Sequence, residues 1–258
     1  MQHQVNEKIG HSSGHGQGSA VKKVLMVAAN PAVSGQTGWP IGFWAAELTH
    51  PYLEFSQAGY EIDIVSLEGG KLEFDAYSDP RHESGYSAHD IISMGFIHTA
   101  PLLAKLEDTP KLEALNPDTY DVLFLVGGQS PMYTFRGNQA LMDFVARFYE
   151  KGKVTVSVCH STCILLDTKL SDGSYLVAGK KWTGFANSEE EVADAAMGKR
   201  IQPFWIETEA RKMEGTDFQV KSAFTAYAIQ DGNLVTGQQQ NSGGVAAQLA
   251  IELLSGKE

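Results

Sequence analysis

The chain is short of cysteine, of positive charge and of long apolar runs, and it has no histidine after His160. Each shortage closes a class of function. Two cysteines, Cys159 and Cys163, supply neither a disulfide framework nor a four-ligand zinc site, and they suit a reducing, cytoplasmic compartment. Only 20 lysines and arginines stand against 31 aspartates and glutamates, for a formal net charge of -11. A surface of that sign lacks the basic face that nucleic acid or an anionic membrane requires. No segment reaches the ~20 continuous apolar residues of a membrane-spanning helix. Residues 1–20, rich in Gly, Ser, His and Gln, have no apolar signal-like stretch and read as a flexible tail with solvated His3, His11 and His15. One unit is then expected over residues 21–258. A papain-like catalytic order, and a glutamine-hydrolysing Cys-His-Glu triad, both need a histidine well downstream of the nucleophile, so both are excluded.

What is present converges on residues 154–166, the stretch VTVSVCHSTCILL. The β-branched run from Val154 to Val158 reads as a buried parallel strand. Apolar residues at helical spacing follow from His160 to Leu166, with no Gly, Pro or Asn between. The chain must therefore turn from strand to helix within about two residues, which strains the residue at the bend and pushes its side chain out over the sheet. That residue is Cys159. A helix N-terminus and the adjacent His160 both favour a thiolate, so Cys159 is expected to be a nucleophile with a depressed pKa. Cys163, a turn further on, reads as a small core residue, with a resolving thiol as the alternative.

The remaining pattern alternates strands and helices. Strands are expected at residues 23–29, 60–67 and 121–126, then at 154–158, 218–222, 226–230 and 234–237. Helices are expected at 41–59, in parts of 97–115, and at 138–152, 188–197, 203–213 and 243–254. A small hairpin at 170–183 would turn at Asp172-Gly173. Such alternation gives an α/β fold with a mainly parallel sheet covered by helices on both faces, and sites at the carboxyl ends of its strands. Gly127-Gly128 and Cys159 fall at such ends. The glycine pair is either half of an oxyanion hole or a plain turn. Pro51 removes a donor to the Glu47 carbonyl, so Glu47 is either a surface glutamate beside a kink or an inward carboxylate; composition favours the surface. Residues 68–95 form a long loop, in which His82, His89 and Asp90, with the later His98, are either metal ligands or solvated side chains; the irregular spacing favours the latter.

Taken together, several motifs resemble the ThiJ/PfpI superfamily, and more narrowly its heat-shock chaperone and glyoxalase III branch. They are GFWAAELTHP from Gly42 to Pro51, Ala58-Gly59, Phe74-Asp75 with Ser78, Gly127-Gly128, Cys159-His160, Thr183-Gly184-Phe185 before Glu189-Glu190, Pro203-Phe204 and Val235 to Gln238. The resemblance spans about Lys22 to Leu254. It implies a flavodoxin-like three-layer sandwich with a nucleophile elbow. It makes Cys159 the nucleophile, His160 its triad partner, Glu190 (with Glu189 next) the orienting acid, and Glu47 an inward, protonated carboxyl beside the sulfur. Gly127, Gly128 and Ser161 would serve oxyanion and substrate binding. The family pattern has glycine where this chain has Ser161, and His-Gly where it has Gln129-Ser130. The implied activity is cofactor-independent conversion of methylglyoxal or a related 2-oxoaldehyde to D-lactate or its homologue, by a lyase of glyoxalase III type with no metal. Deglycase or chaperone activity and a homodimer are compatible with it. The alternatives are a non-enzymatic chaperone or oxidation sensor, and a cysteine hydrolase or hydratase of another small electrophile.

Overall fold

The computed structural model describes residues 21–256; the expected tail and its histidines lie outside them. Six strands form the main sheet: β1 (Lys23–Ala28), β2 (Glu61–Ser66), β3 (Val122–Leu125), β4 (Val154–Val158), β5 (Ala228–Asp231) and β6 (Leu234–Gly237). Their spatial order is β2-β1-β3-β4-β6-β5, and every pairing is parallel except the edge pair β6–β5. The strands are apolar almost throughout because both faces are covered. In β1, Leu25 and Val27 enter one core while Val24, Met26 and Ala28 enter the other.

Helices α1 (Ala45–Gln57), α2 (Ile91–His98) and α5 (Gly243–Ser255) cover one face. Helix α3 (Gln139–Glu150), the turn after β4 and the segment around Trp182 and Phe218 cover the other. The α3 side chains Leu141, Phe144, Val145 and Phe148 recur at helical spacing and are buried, and Asn138 caps the helix by accepting from Leu141 N–H. A further helix, α4 (Asn187–Met197), lines the site described below.

Several expected elements differ. Helix α1 starts at Ala45, not residue 41, because Gly42 and Phe43 are tied to the 73–75 segment: Phe43 N–H donates to Glu73 O and Gly42 N–H to the Asp75 carboxylate. Pro51 sits within α1 without ending it. Helix α2 begins at Ile91, inside the expected loop, because Asp90 caps it by accepting from Ile92 and Ser93 N–H. The expected 170–183 hairpin reduces to one bridge, Lys169–Tyr175; Lys181–Trp182 instead pairs in parallel with Asp217–Phe218, a long-range partner that no local pattern announces. That pairing also shortens the expected 218–222 strand, and the expected 203–213 helix shrinks to Ile206–Ala210. The segment Cys159–Leu166 is a 3-10 helix, tighter than the α-helix its spacing suggested. No helix among the described residues is long and apolar enough to cross a membrane.

Candidate active site

Strands β3 and β4 are parallel neighbours with Leu125 opposite Ser157. The residues two positions beyond each, Gly127 and Cys159, therefore share one sheet edge. Cys159 has φ 55°, the left-handed region, as the sharp turn demands of a non-glycine residue. The bend is held from below by Ser161, whose hydroxyl accepts from Val158 N–H at 3.0 Å and reaches Leu125 O at 2.9 Å and Ser157 Oγ at 2.8 Å. Ser161 is wholly buried and does not line the cavity above the sulfur. Its expected contact with substrate is thus corrected: its hydroxyl is spent tying β4 to β3.

Glu47 also turns inward, contrary to the surface reading and as the family pattern implied. It is 0% exposed, and neither carboxyl oxygen has a hydrogen-bond partner of ordinary geometry among the described residues. Gly127 makes this approach possible. A methyl group there would lie 2.2 Å from Glu47 Oε2 and 2.8 Å from Cys159 Cβ. Burial raises the Glu47 pKa well above the usual carboxylate range, against smaller opposing effects of the Cys159 thiol and Gly127 N–H. Burial thus favours its neutral, protonated form. Burial, and then the neighbouring Glu47, push the Cys159 thiol up, while the N–H groups of His160 and Gly128 pull it down. The depression expected from a helix N-terminus is overturned, because at this dry site desolvation outweighs two amide dipoles. Two buried acids so close do not both ionise.

The base lies on the open side of the sulfur. His160 Nδ1 is 3.4 Å from Cys159 Sγ, and its Nε2 is 3.1 Å from Glu190 Oε1. Phe185 stacks on the imidazole at 4.1 Å between centroids. Glu190 arrives because the 183–186 segment is pressed against the 3-10 helix: a methyl on Gly184 would meet Thr162 Oγ1 at 2.1 Å. The pair Glu189/Glu190 resolves by geometry. Glu190 holds His160, whereas Glu189 accepts from Ala186 N–H, Phe224 N–H and Gln238 Nε2. Burial raises both carboxyls, and the neighbouring His160 opposes this more strongly at Glu190 than at Glu189.

Asp75 is a residue whose role the motif alone did not reveal. Fully buried, it accepts from Gly42 N–H at 2.9 Å and Gln129 N–H at 2.7 Å, so it latches the loop carrying Gly128 to the start of α1. Burial raises its pKa to about 6, against those two N–H groups. The strained Phe224, at φ 59°, was likewise missed; its N–H donates to Glu189 and its carbonyl accepts from Asn241 Nδ2.

Above Cys159, His160 and Gly128 is a cavity of about 180 Å³. Tyr77 and Tyr86 from the 68–95 loop form one wall and α4 the other, so that loop builds the pocket. Its histidines do not gather. His82 bonds Ser84, the Asp90 carboxylate pairs with His50, and no cluster of three metal-ligating side chains occurs among the described residues. Cys163 is core: its Sγ bonds Pro131 O, and burial raises its pKa to about 12.

Residues 41–252 match the DJ-1/PfpI family. The chain belongs to that family. Among the relatives of this DJ-1/PfpI protein, a glutathione-independent glyoxalase of Saccharomyces cerevisiae is 30% identical, over 91% of this chain and 99% of its own. A Schizosaccharomyces pombe protein named a probable glutathione-independent glyoxalase is also 30% identical, over 83% and 90%. The crystal structure of a rapid encystment protein of Francisella tularensis superposes with a TM-score of 0.80 at 28% identity, covering 91% of this chain and 99% of that one.

Proposed function

We propose that the protein is a glutathione-independent glyoxalase of the glyoxalase III type, a lyase that turns methylglyoxal or a related 2-oxoaldehyde into a 2-hydroxy acid, D-lactate for methylglyoxal. The relatives' names support the reaction class. The observation that carries the reading is the line Glu47, Cys159, His160, Glu190, with the sulfur and imidazole facing a cavity and the neutral carboxyl behind them.

In this reading Nδ1 of His160 takes the thiol proton, Nε2–H donates to Glu190, and the thiolate rests on the N–H groups of His160 and Gly128. Sulfur adds to the aldehyde carbon, giving a hemithioacetal whose oxygen receives a proton from His160. The C1 proton then passes to the base and returns to C2 through an enediol. C1 is oxidised and C2 reduced, so the result is a thioester of a 2-hydroxy acid. Water hydrolyses it and restores the thiol. His160 lines the cavity and reaches the substrate carbons, whereas Glu47 acts through the sulfur. A homodimer and a cytoplasmic setting belong to the same proposal; sedimentation at micromolar concentration checks the first.

The test is lactate release from methylglyoxal without glutathione. Wild type is expected to be active and Cys159→Ala to fall to background. Equal activity in Cys159→Ala ends the proposal.

A further inference from the structure

A cavity built for methylglyoxal would need room for one methyl group beside the two carbonyls. The cavity over Cys159 offers more. A space of about 150 Å³ lined by aliphatic and aromatic groups is enough to hold a benzene ring, and this one measures about 180 Å³. Its lining is mostly apolar, with Gln129, Gln202 and Gln240 among its polar members. Trp44, Tyr86, Phe185 and Phe224 contribute aromatic rings, and Ala193 and Met197 of α4 contribute aliphatic surface.

The aromatic walls also contact one another. Trp44 meets Tyr86 edge-on at 6.0 Å, and Tyr86 meets Tyr77 edge-on at 6.1 Å, so the rings brace one another. Phe224 is held at φ 59° through the Glu189 carboxylate, and Asn241 Nδ2 donates to its carbonyl. Strain of this kind persists only where the surroundings enforce it. Here the enforced residue is a pocket wall, not part of the Cys-His-Glu line.

Resting on the glyoxalase reading above, we infer that the preferred substrate is a 2-oxoaldehyde whose second carbonyl carries a bulky apolar arm, aromatic or branched aliphatic, that fills this cavity. The reaction balances as for methylglyoxal: thiolate adds to C1, the C1 proton moves to C2, and water releases the aryl or alkyl 2-hydroxy acid. The arm changes only what fills the cavity. Each methylene buried there is worth roughly fourfold in binding, so a phenyl arm should exceed methyl by well over tenfold.

Two measurements test this. First, kcat/KM is compared for methylglyoxal, isobutylglyoxal and phenylglyoxal, with Cys159→Ala as the blank. The inference expects phenylglyoxal and isobutylglyoxal each at least tenfold above methylglyoxal, and Ala193→Phe, which fills the space, to cut the phenyl-to-methyl ratio at least tenfold. Methylglyoxal equal to or better than both overturns the inference and leaves the glyoxalase reading standing. Second, tryptophan fluorescence reports binding of mandelate and lactate without turnover, since Trp39 and Trp44 line the cavity. Mandelate should bind at least tenfold more tightly; equal affinities overturn the inference even if Ala193→Phe does not fold. Tight mandelate binding with no turnover of any aldehyde ends the glyoxalase reading and, with it, the substrate preference that rests on it.

Discussion

Burial favours the protonated form of Glu47, which lies wholly out of solvent beside a thiol that burial also shifts toward its neutral form. Charge enters the pair only by way of His160. The amide of Gln is nearly isosteric with a protonated carboxyl and cannot ionise. Glu47→Gln is therefore expected to leave the pH profile of Cys159 alkylation nearly unmoved, because a carboxyl that burial keeps protonated and an amide are both neutral beside the sulfur. Iodoacetamide rates between pH 6 and about 10 read this directly, on the scale of about 1.4 kcal/mol per pKa unit. A profile displaced to lower pH would show that Glu47 carries charge beside the thiol.

Among the elements, the turn after β4 depends on one hydroxyl. Ser161 satisfies Val158 N–H and binds Leu125 O across to β3, all without solvent. Removing it leaves buried backbone groups unpaired, at a cost of about 1–3 kcal/mol. Ser161→Ala should lower the melting temperature by roughly 2–10 °C, while lactate formation at 25 °C falls less than tenfold, since the hydroxyl faces away from the cavity. A loss comparable to that of Cys159→Ala would return Ser161 to the reacting groups. The Gly127 position is just as restricted. Gly127→Ala sets a methyl 2.6 Å from Val158 O as well as against Glu47, and it should cost about 1–3 kcal/mol by overpacking, read by urea unfolding.

For the whole molecule, dry carboxyls shape stability against pH. The folded-state pKa of Asp75 is raised from 3.8 to about 6, so the stability it contributes is complete below 3.8 and is lost as pH rises through about 6. At about 1.4 kcal/mol for each of about two pH units, the wild type should lose about 3 kcal/mol relative to Asp75→Asn across that window. Unfolding midpoints measured from pH 3.5 to about 7 check the sign: the difference between variant and wild type must move in the variant's favour as pH rises. The same scale shows what the sequence could disclose. The apolar runs of β1, β3 and β4 announced a parallel sheet, and the abrupt change of period at Cys159 announced the bend, because both are local patterns. Glu47 could not be placed by composition, since its inward turn depends on the space left by Gly127, remote in sequence. The Trp182–Phe218 pairing and the aromatic walls stayed hidden for the same reason: Tyr77, Tyr86 and Phe224 carry no period and meet only through long-range packing. Asp75 was visible as part of a motif, but its work on Gly42 and Gln129 needs three dimensions.

Neighbouring Glu189 and Glu190 serve opposite directions, one supporting the Phe224 wall and the other the His160 ring. One residue step on a helix is a rotation of about 100°. An insertion or deletion of a single residue in the first turn of α4 would therefore disengage both carboxylates at once, releasing the aromatic wall and the imidazole together. Drift in length at that point should be rarer than substitution, and a library of one-residue indels across residues 184–191 should yield almost no active clones even where the fold survives.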